Sequence, residues 1–310
     1  MMPALRVIAP GLLTTVQDAG RPHAIASGVP PGGAMDRFAH AAGNMLVAND
    51  RGAASLECTL RGPHLEAERS CLVAITGADL EPRVNGAQAP MWTAVELHAG
   101  DVLTFAGRRS GARAYLAVAG GVVADRWLGS MSTNLMVGRG GMHGRALIQG
   151  DIIMVGEAAS RAAPERALPD DMRPTYGDHA LHALAGPHAA RLLPESRQSL
   201  FAAQFQVSPD SNRMGYRLEG ALLEAPGDEL LSFGLIAGAV QLPSGGKPIL
   251  LMADHQTAGG YPVVAVVASA SIPIAAQLAP GDELRFVETT VERALEMRAS
   301  QREALDSLTT

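Results

Sequence analysis

Short apolar runs separated by glycine, proline, asparagine and aspartate make up most of the 310-residue chain. Runs of this kind have the length of strands, and the residues between them tolerate the backbone angles of tight turns. The pattern predicts a mainly β protein with a few helices. The runs interpreted as strands are residues 5–9, 72–76, 94–98, 102–105, 114–119, 146–155, 248–252, 263–267 and 283–287.

Helical spacing is found in three segments, which are residues 34–47, 191–203 and 291–308. In the first segment Phe38, Ala41 and Met45 fall on one stripe, as in a helix that packs on a core. The last segment begins with a capping sequence that includes Thr290 and Glu292. We expect this last helix to pack on the outside of the fold.

The composition changes between about residues 157 and 178, where alanine, proline, arginine and aspartate follow no period. We place a domain boundary here, with an N-terminal domain at residues 1–165 and a C-terminal domain at residues 166–310 that ends in the last helix. Residues 94–105 and 275–286 are weakly alike, since each has an apolar run, a Gly-Asp turn and a second apolar run. Either a duplication or repeated use of one turn accounts for this likeness.

The charge composition excludes several classes of function. A net charge of −6 and a pI near 5.8 leave no basic surface for a nucleic-acid backbone. The apolar runs are much shorter than the roughly 20 residues that cross a membrane, and the N-terminus lacks the features of a secretion signal. We expect a cytoplasmic protein that binds neither nucleic acid nor membrane. Because only 18% of the residues are charged, the surface is suited to contact with a partner protein.

Metal chemistry is not indicated by the sequence. Cys58 and Cys71 show no metal-ligand spacing, and His179 and His182 lie three residues apart without a third ligand nearby. No P-loop, GxSxG or HExxH motif is present. We expect no metal site, and no nucleotide held by this chain alone.

Two loops in the N-terminal half are unusually polar or rich in glycine. In residues 14–36, Asp18 and Arg21 lie three positions apart in a stretch with many glycines and prolines. They either present their charges to an anionic or amide substrate or hold a long loop in place. In residues 128–145, clustered glycines either expose backbone N–H groups to an anion or form a tight connection between strands.

Two loops in the C-terminal half carry a dense set of hydrogen-bonding groups. Residues 208–220 include Asn, Arg and Tyr side chains that suit a carboxylate or phosphoryl oxygen, or else form a turn before a strand. Residues 251–262 follow a buried strand, where catalytic groups are often held. In this second loop Asp254 and His255 are candidates for proton transfer, and Gln256 and Thr257 for binding a carbonyl or phosphate group.

Five segments together carry a family resemblance. They are Thr14-Thr-Val-Gln-Asp-Ala-Gly-Arg21, Gly33-Ala-Met-Asp36, Ala117-Val-Ala-Gly-Gly121, Ser211-Asn-Arg-Met-Gly-Tyr-Arg-Leu-Glu-Gly220 and Gln256-Thr-Ala-Gly-Gly-Tyr-Pro262. In this order, and across about residues 5 to 290, the chain resembles the urea amidolyase-related family, also called KipA-like proteins or the second allophanate hydrolase subunit domain. It departs from the family at Met131, His255 and Ala258, where the family often has Arg, Arg and Thr.

The resemblance implies a pair of cyclophilin-like β-barrel domains and work on an amide-like C–N bond. It implies one component of an ATP-dependent 5-oxoprolinase, a hydrolase that opens the cyclic amide 5-oxoproline to glutamate. ATP would act through the complex, whose other members would be a KipI-like protein and a LamB/YcsF-like protein. In that scheme the residues expected to bind substrate are Arg21, Asn212, Arg213, Tyr216, Gln256 and Thr257, and those expected to act in catalysis are Asp18, Asp254, His255 and Tyr261.

Two other functions are compatible with the same resemblance. One is a biotin-dependent carboxyltransferase, as in the related domain of urea carboxylase. Biotin would then be carried by a partner, because this chain has no biotin-attachment segment. The other is a KipA-like protein without catalytic activity that binds a KipI-like kinase inhibitor.

Overall fold

The computed structural model describes residues 1–158, 163–227 and 230–309, and it divides the chain into two compact units. The first unit contains residues 1–21, 32–173 and 302–310, and the second contains residues 22–31 and 174–301. The sequence placed one boundary after residue 165, whereas the main division in the structure follows residue 173. Of the segment interpreted as a linker, residues 159–162 lie outside the described residues.

The first unit contains two sheets. Its strands are β1 (Met2–Ala9), β2 (Leu13–Gln17), β3 (Ser55–Thr59), β4 (His64–Ala67), β5 (Cys71–Asp79), β6 (Pro82–Val84), β7 (Ala87–Gln88), β8 (Ala94–Leu97), β9 (Val102–Phe105), β10 (Ser110–Val118), β11 (Val122–Val123) and β12 (Ile152–Val155). A seven-stranded sheet has the order β11-β12-β1-β4-β9-β6-β7, and a five-stranded sheet has the order β2-β3-β10-β5-β8.

The two sheets of the first unit share one apolar core. The seven-stranded sheet contributes Leu5 and Leu65, and the five-stranded sheet contributes Leu56 and Leu116, all of them fully buried. Because successive side chains of a strand point to opposite faces, the short apolar runs suffice to fill this core. Helix α1 (Arg37–Leu46) packs beside β5 and β10.

The second unit contains a closed barrel. Its strands are β13 (Ala180–Ala185), β14 (Gln204–Val207), β15 (Gly215–Gly220), β16 (Phe233–Gly234), β17 (Ala239–Gln241), β18 (Ile249–Leu251), β19 (Ala258–Gly259), β20 (Val263–Val267) and β21 (Glu283–Glu288). The barrel order is β13-β20-β17-β18-β15-β14-β21, and β16 pairs with β19 as a separate ribbon. Only the β13–β21 pairing of the barrel is parallel, and closure removes the exposed strand edges that promote aggregation.

The remaining helices are α2 (Pro194–Ala202), α3 (Ile272–Ala276) and α4 (Val291–Asp306). The prediction of a mainly β fold with a few helices is confirmed. The resemblance implied a barrel in each domain, and the second unit contains a closed one, whereas the described strands of the first unit pair as two sheets. Among the described residues, no helix is both long enough and apolar enough to span a membrane.

One predicted strand is shorter than its apolar run. Of residues 146–155 only β12 is a strand, because the residues before it form a turn around Asp151. The Asp151 carboxylate accepts hydrogen bonds from the Arg145 guanidinium at 2.7 and 2.8 Å and from the backbone N–H of Ile148 at 2.9 Å. These bonds fold the first half of the run back on itself.

The weak internal likeness reflects a shared turn. Gly100 and Gly281 have φ angles of 89° and 90°. The aspartate that follows each glycine caps the turn by accepting from a backbone N–H three residues earlier, at 2.7 Å in the first case and 2.9 Å in the second. The first turn follows β8 and the second follows α3, so the elements before the two turns differ.

Candidate functional site

Asp18, directly after β2, is the most heavily hydrogen-bonded carboxylate of the candidate site in the first unit. Its oxygens accept from the hydroxyls of Ser130 and Ser132 at 2.6 Å each, and from the backbone N–H groups of Met131 and Gly20 at 2.6 and 2.8 Å. Partial burial raises the pKa of Asp18, but these hydrogen bonds outweigh burial and leave the pKa below its ordinary value. The carboxylate therefore stays ionised, which favours holding the 130–132 loop over moving a proton.

Arg21 is held by the same loop. Its side chain is 2% exposed, its guanidinium donates to the backbone oxygen of Ser132, and it lies 4.9 Å from the centre of the Trp127 ring. Such a cation–π contact is typical of a buried guanidinium. Of the two interpretations of Asp18 and Arg21, these contacts favour residues that hold a loop in place.

The glycines of the 138–145 segment allow a close approach of backbone to backbone. A Cβ atom at Gly140 would overlap the backbone oxygen of Ser132, and one at Gly141 would overlap the Thr133 side chain. The N–H groups of Gly141 and Gly144 donate to backbone oxygens at 3.1 and 2.7 Å. Because these two N–H groups are bonded to backbone oxygens, they are not exposed to an anion. This geometry supports the tight-connection interpretation of this segment.

A second buried network in the first unit was not found from the sequence. The Glu57 carboxylate accepts from the Tyr115 hydroxyl at 2.7 Å and from the backbone N–H of Met35 at 2.9 Å. The Tyr115 oxygen in turn accepts from the backbone N–H of Asp36 at 2.8 Å, and Asp36 caps α1 by accepting from Ala39. Burial, together with the charges of Glu57 and Asp36, raises the pKa of Tyr115 well above its usual value, so the phenol remains a donor.

A sequence signal for this network does exist. Glu57 is a charged residue in the centre of β3, whose neighbouring side chains are buried. Such a residue is expected to have a buried hydrogen-bonding partner. His40, on α1, is also buried, and burial lowers its pKa more than the charges of Asp18 and Glu57 raise it.

In the second unit, Arg213 and Asp254 form an ion pair between two loops. Arg213 Nε lies 2.9 Å from Asp254 Oδ2, and Arg213 Nη2 lies 3.3 Å from Oδ1. The two side chains are 10% and 16% exposed, and the Asp254 N–H also donates to the Arg213 backbone oxygen at 2.9 Å. Two parallel bonds fix a guanidinium more strongly than one. The pair thus joins the loop before β15 to the loop after β18.

Gln256 lies two residues after Asp254. Its side chain is held by Gln241, a residue that the sequence did not indicate. Its Nε2 donates to Gln241 Oε1, on β17, at 2.9 Å. His255, between Asp254 and Gln256, is 1% exposed, and its Nδ1 lies 2.7 Å from the Gln256 backbone oxygen. The structure therefore brings Arg213, Asp254, His255 and Gln256 together.

The other predicted residues of this unit have separate environments. Tyr216 is buried on β15 opposite Leu250. Asn212 forms the turn that was the alternative interpretation, since its Oδ1 accepts from the N–H of Met214 at 2.8 Å. Thr257 accepts a backbone hydrogen bond from Leu235.

A cavity of about 790 Å³ in the second unit adjoins the loop that follows β18. Its described lining includes residues 222–227, 242–246 and 260–262, together with Arg191. Tyr261, 50% exposed, lies on the cavity wall. Among the ten predicted site residues, the cavity lining contains Tyr261 alone, whereas Asp18 and Arg21 belong to the other unit.

The residues that the structure describes contain no cluster of three His, Cys, Asp or Glu side chains that could hold a metal ion. Lys247, the single lysine of the chain, donates to Glu219 on β15.

Known proteins show extensive similarity to this chain. The chain is 38% identical over 307 residues to the C subunit of 5-oxoprolinase from Escherichia coli, covering 98% of this chain and 97% of that protein. It is 31% identical to the urea amidolyase of Lachancea kluyveri over 98% of this chain, but spans only 18% of that protein. The crystal structure of the Kluyveromyces lactis urea carboxylase superposes with a TM-score of 0.93 at 30% identity, covering 99% of this chain and 29% of that one.

These similarities confirm the resemblance that the sequence motifs indicated. A family model described as the carboxyltransferase domain, subdomain A and B, matches residues 27–288. Since this match covers most of the chain, and the E. coli relative matches nearly end to end, the chain belongs to the carboxyltransferase domain family, subdomains A and B.

Proposed function

We propose that this chain is the C subunit of a 5-oxoprolinase, a hydrolase that opens 5-oxoproline to glutamate in a complex with a KipI-like partner and a LamB/YcsF-like partner. The observation that carries the proposal is the 38% identity to a 5-oxoprolinase C subunit over 97% of that protein's length. The urea amidolyase match, by contrast, spans 18% of its relative. We further propose that ATP is held by the partners and that the complex is cytoplasmic.

The cavity of the second unit is the proposed binding place for the cyclic amide. It is partly apolar, through Leu222, Leu223 and Leu242, as pockets for small molecules usually are. Arg191 lines it, and a guanidinium carries five N–H donors that suit the substrate carboxylate. The cavity lining contains Arg191 but neither Arg213 nor Arg21, which supports Arg191 as the carboxylate-binding residue in their place.

Tyr261 is the proposed catalytic residue of this chain. Of the four candidates for catalysis it alone lines the cavity. Its phenol can donate a hydrogen bond to the lactam oxygen or to the nitrogen that leaves. Asp254 then acts through Arg213, and His255 through the backbone of Gln256, as positioning residues.

Reconstitution tests the proposed function. The chain is purified with its KipI-like and LamB/YcsF-like partners, and 5-oxoproline-dependent ATP hydrolysis and glutamate formation are measured. We expect both to require this chain, and we expect Arg191→Met to raise KM for 5-oxoproline about tenfold, the effect of roughly one charge-assisted hydrogen bond. The control is Arg197→Met, since Arg197 forms an exposed ion pair with Glu288 in the same unit. Full activity without this chain would refute the assignment.

A second function is favoured by the structural similarity to urea carboxylase, with its TM-score of 0.93. In this alternative the chain is a biotin-dependent carboxyltransferase and the biotin is carried by a partner. Purification of the native complex decides between the two. A biotinylated partner that copurifies, with urea-dependent rather than 5-oxoproline-dependent ATP hydrolysis, would favour the carboxyltransferase.

A further inference from the structure

Four exposed apolar side chains lie within residues 128–137 of the first unit. They are at the tips of two turns, which we call the Leu128 turn (residues 127–130) and the Met136 turn (residues 134–139). The exposed fractions are 54% for Leu128, 44% for Leu135, 71% for Met136 and 53% for Val137. Isolated exposed apolar residues are common in proteins, whereas a group of them marks a surface that contacts a partner.

The two turns begin and end near the same backbone pair. Asp125 and Gly141 are joined by two backbone hydrogen bonds, at 2.9 and 3.1 Å. Trp127, the first residue of the Leu128 turn, lies two positions after Asp125, and Arg139, the last residue of the Met136 turn, lies two positions before Gly141. Two residues span at most about 7 Å, so the bases of the two turns are close in space. One partner can therefore contact both tips.

Hydrogen bonds hold the Met136 turn in one conformation. The side chain of Asn134 is 4% exposed, and its Oδ1 accepts from the backbone N–H groups of Met136 and Val137 at 3.1 and 3.2 Å. The backbone groups of Asn134 and Arg139 also bond to each other, at 2.8 and 3.2 Å. A turn that is already ordered loses little conformational entropy when it binds a partner.

Leu128 has a backbone conformation that leucine rarely adopts. Its φ angle is 49° and that of Gly129 is 84°, as in a type I′ turn, where the first position favours asparagine. A leucine there strains the backbone, and with half of its side chain exposed it gains little from burial within the unit. Stability of the first unit therefore does not explain this leucine, whereas contact with a partner does.

The charges of the two turns indicate the chemistry of that partner. Arg126 and Arg139 are exposed, and residues 126–139 contain no other charged side chain. Arg126 Nη1 donates to the backbone oxygen of Gly129 at 3.3 Å, and neither arginine forms an ion pair with a residue that the structure describes. Carboxylates on the partner would complement them. A symmetric dimer would place the same turns of two copies against each other, so that like charges meet.

We propose that the Leu128 and Met136 turns dock into a partner subunit whose surface has an apolar depression bordered by carboxylates. The tips of the turns fill the depression, and Arg126 and Arg139 pair with the carboxylates at its edge. Methionine and arginine are enriched in protein interfaces, as they are in these turns. The inference rests on the proposed function, since it names the surface through which this chain joins the proposed complex.

Binding measurements test this docking surface. The purified chain is combined with the purified KipI-like protein and the purified LamB/YcsF-like protein, separately and together, and affinity is measured by biolayer interferometry at low and high salt. The variants are Leu128→Asn, the triple variant Leu135→Ser/Met136→Ser/Val137→Ser and the double variant Arg126→Glu/Arg139→Glu. The controls are Leu12→Ser and Arg61→Glu, which change exposed residues of the same unit outside the two turns.

We expect Leu128→Asn to weaken binding of a partner about tenfold and to leave the melting temperature of the free chain unchanged or higher, because asparagine suits the turn. The triple variant should weaken binding about 100-fold. The charge reversal should weaken binding about tenfold at low salt and less at high salt, since salt screens exposed charges. Both controls should bind as the wild type does.

Wild-type affinity in all three variants would overturn the proposal and leave the proposed function standing. Self-association of this chain that Leu128→Asn abolishes would overturn it as well, because the turns would then bind a second copy. A complex that needs the two turns to assemble but shows no 5-oxoproline-dependent ATP hydrolysis would refute the proposed function and support the docking surface. A wild-type chain that binds neither partner would refute both.

Discussion

Each unit contains a partly or largely buried aspartate whose hydrogen bonds join two loops. The two carboxylates are bound by different kinds of donor. Asp18 is bound by two hydroxyls and two backbone N–H groups, whereas Asp254 is bound by the Arg213 guanidinium. Hydroxyls and backbone groups bring no charge, so the Asp18 network keeps its negative charge. The Asp254 pair is neutral as a whole. Loss of the Asp18 carboxylate alone therefore destabilises the first unit. Replacing both Asp254 and Arg213 should cost the second unit less stability, because no unpaired charge remains.

The largest expected effect on stability comes from Asp18→Ala. This change removes the acceptor of four hydrogen bonds and frees the 130–132 loop. We expect the free energy of unfolding of the first unit to fall by about 3 kcal/mol. Urea denaturation followed by tryptophan fluorescence measures this unit, because Trp92 and Trp127 are the two tryptophans of the chain and both lie in it.

The matched control for Asp18 is Asp125→Ala. Asp125 lies in the same unit, but its hydrogen bond with His143 is exposed, so its loss should cost less than about 0.5 kcal/mol. Ser130→Ala, which removes one of the four bonds, should fall between the two. Equal losses for Asp18 and Asp125 would contradict the anchoring role.

Arg213→Met should have the next largest effect. It leaves the Asp254 carboxylate largely buried without its guanidinium, and we expect a loss of about 2 kcal/mol. Hydrogen exchange of the amides of β15, which follows Arg213, reports on the second unit directly. Replacing both residues, as Arg213→Met with Asp254→Leu, should recover part of the loss because no uncompensated charge remains. A double variant less stable than the single one would show that the pair contributes net stability.

The third prediction concerns pH. Because the pKa of Asp18 is lower in the folded protein than its ordinary value, its ionised form favours the folded state. This stabilisation is complete above the unfolded pKa, near about 3.9, and is lost as pH falls through the folded pKa. We expect the acid-induced loss of stability of the first unit to be smaller in Asp18→Asn than in the wild type, by tryptophan fluorescence between about pH 6 and 2. An equal loss of stability with falling pH in the two proteins would contradict this prediction.

The smallest effect on stability is expected from Tyr261→Phe. The side chain is half exposed on the cavity wall, so the free energy of unfolding should change by less than about 0.5 kcal/mol. In the assembled complex, however, kcat should fall about 100-fold if the phenol donates to the lactam. Tyr176→Phe, in the same unit, is the control for a tyrosine outside the cavity lining. An unchanged kcat would exclude Tyr261 from catalysis.

Local signals predicted much of the secondary structure. The runs at 102–105 and 263–267 coincide with β9 and β20, because each is bounded by turn residues. The helix predicted at 34–47 begins later, at Arg37, because Asp36 caps it by accepting from Ala39. The helix predicted at 191–203 begins at Pro194, since proline suits the first turn and the preceding residue is extended.

The sites were less predictable, since their bonds join distant parts of the chain. The polar loops made Asp18, Arg213, Asp254 and Gln256 candidates, but nothing local pairs Asp18 with a serine 114 residues away. Glu57 lies within β3 and Gln241 ends β17, and each is a polar side chain in a strand of buried residues. A polar residue among buried neighbours was the available signal, and it does not say which group satisfies the side chain.

The strands, the turns and the family follow from the amino-acid sequence alone, because they depend on local spacing and on motifs read in order. Closure of the second unit's strands into a barrel, by contrast, is a property of the tertiary structure. So are the contact of Gln241 with Gln256 and the ion pair of Arg213 with Asp254. These outcomes depend on which strands become neighbours and in what register. Register is set by the packing of whole faces against a core, which no single segment contains.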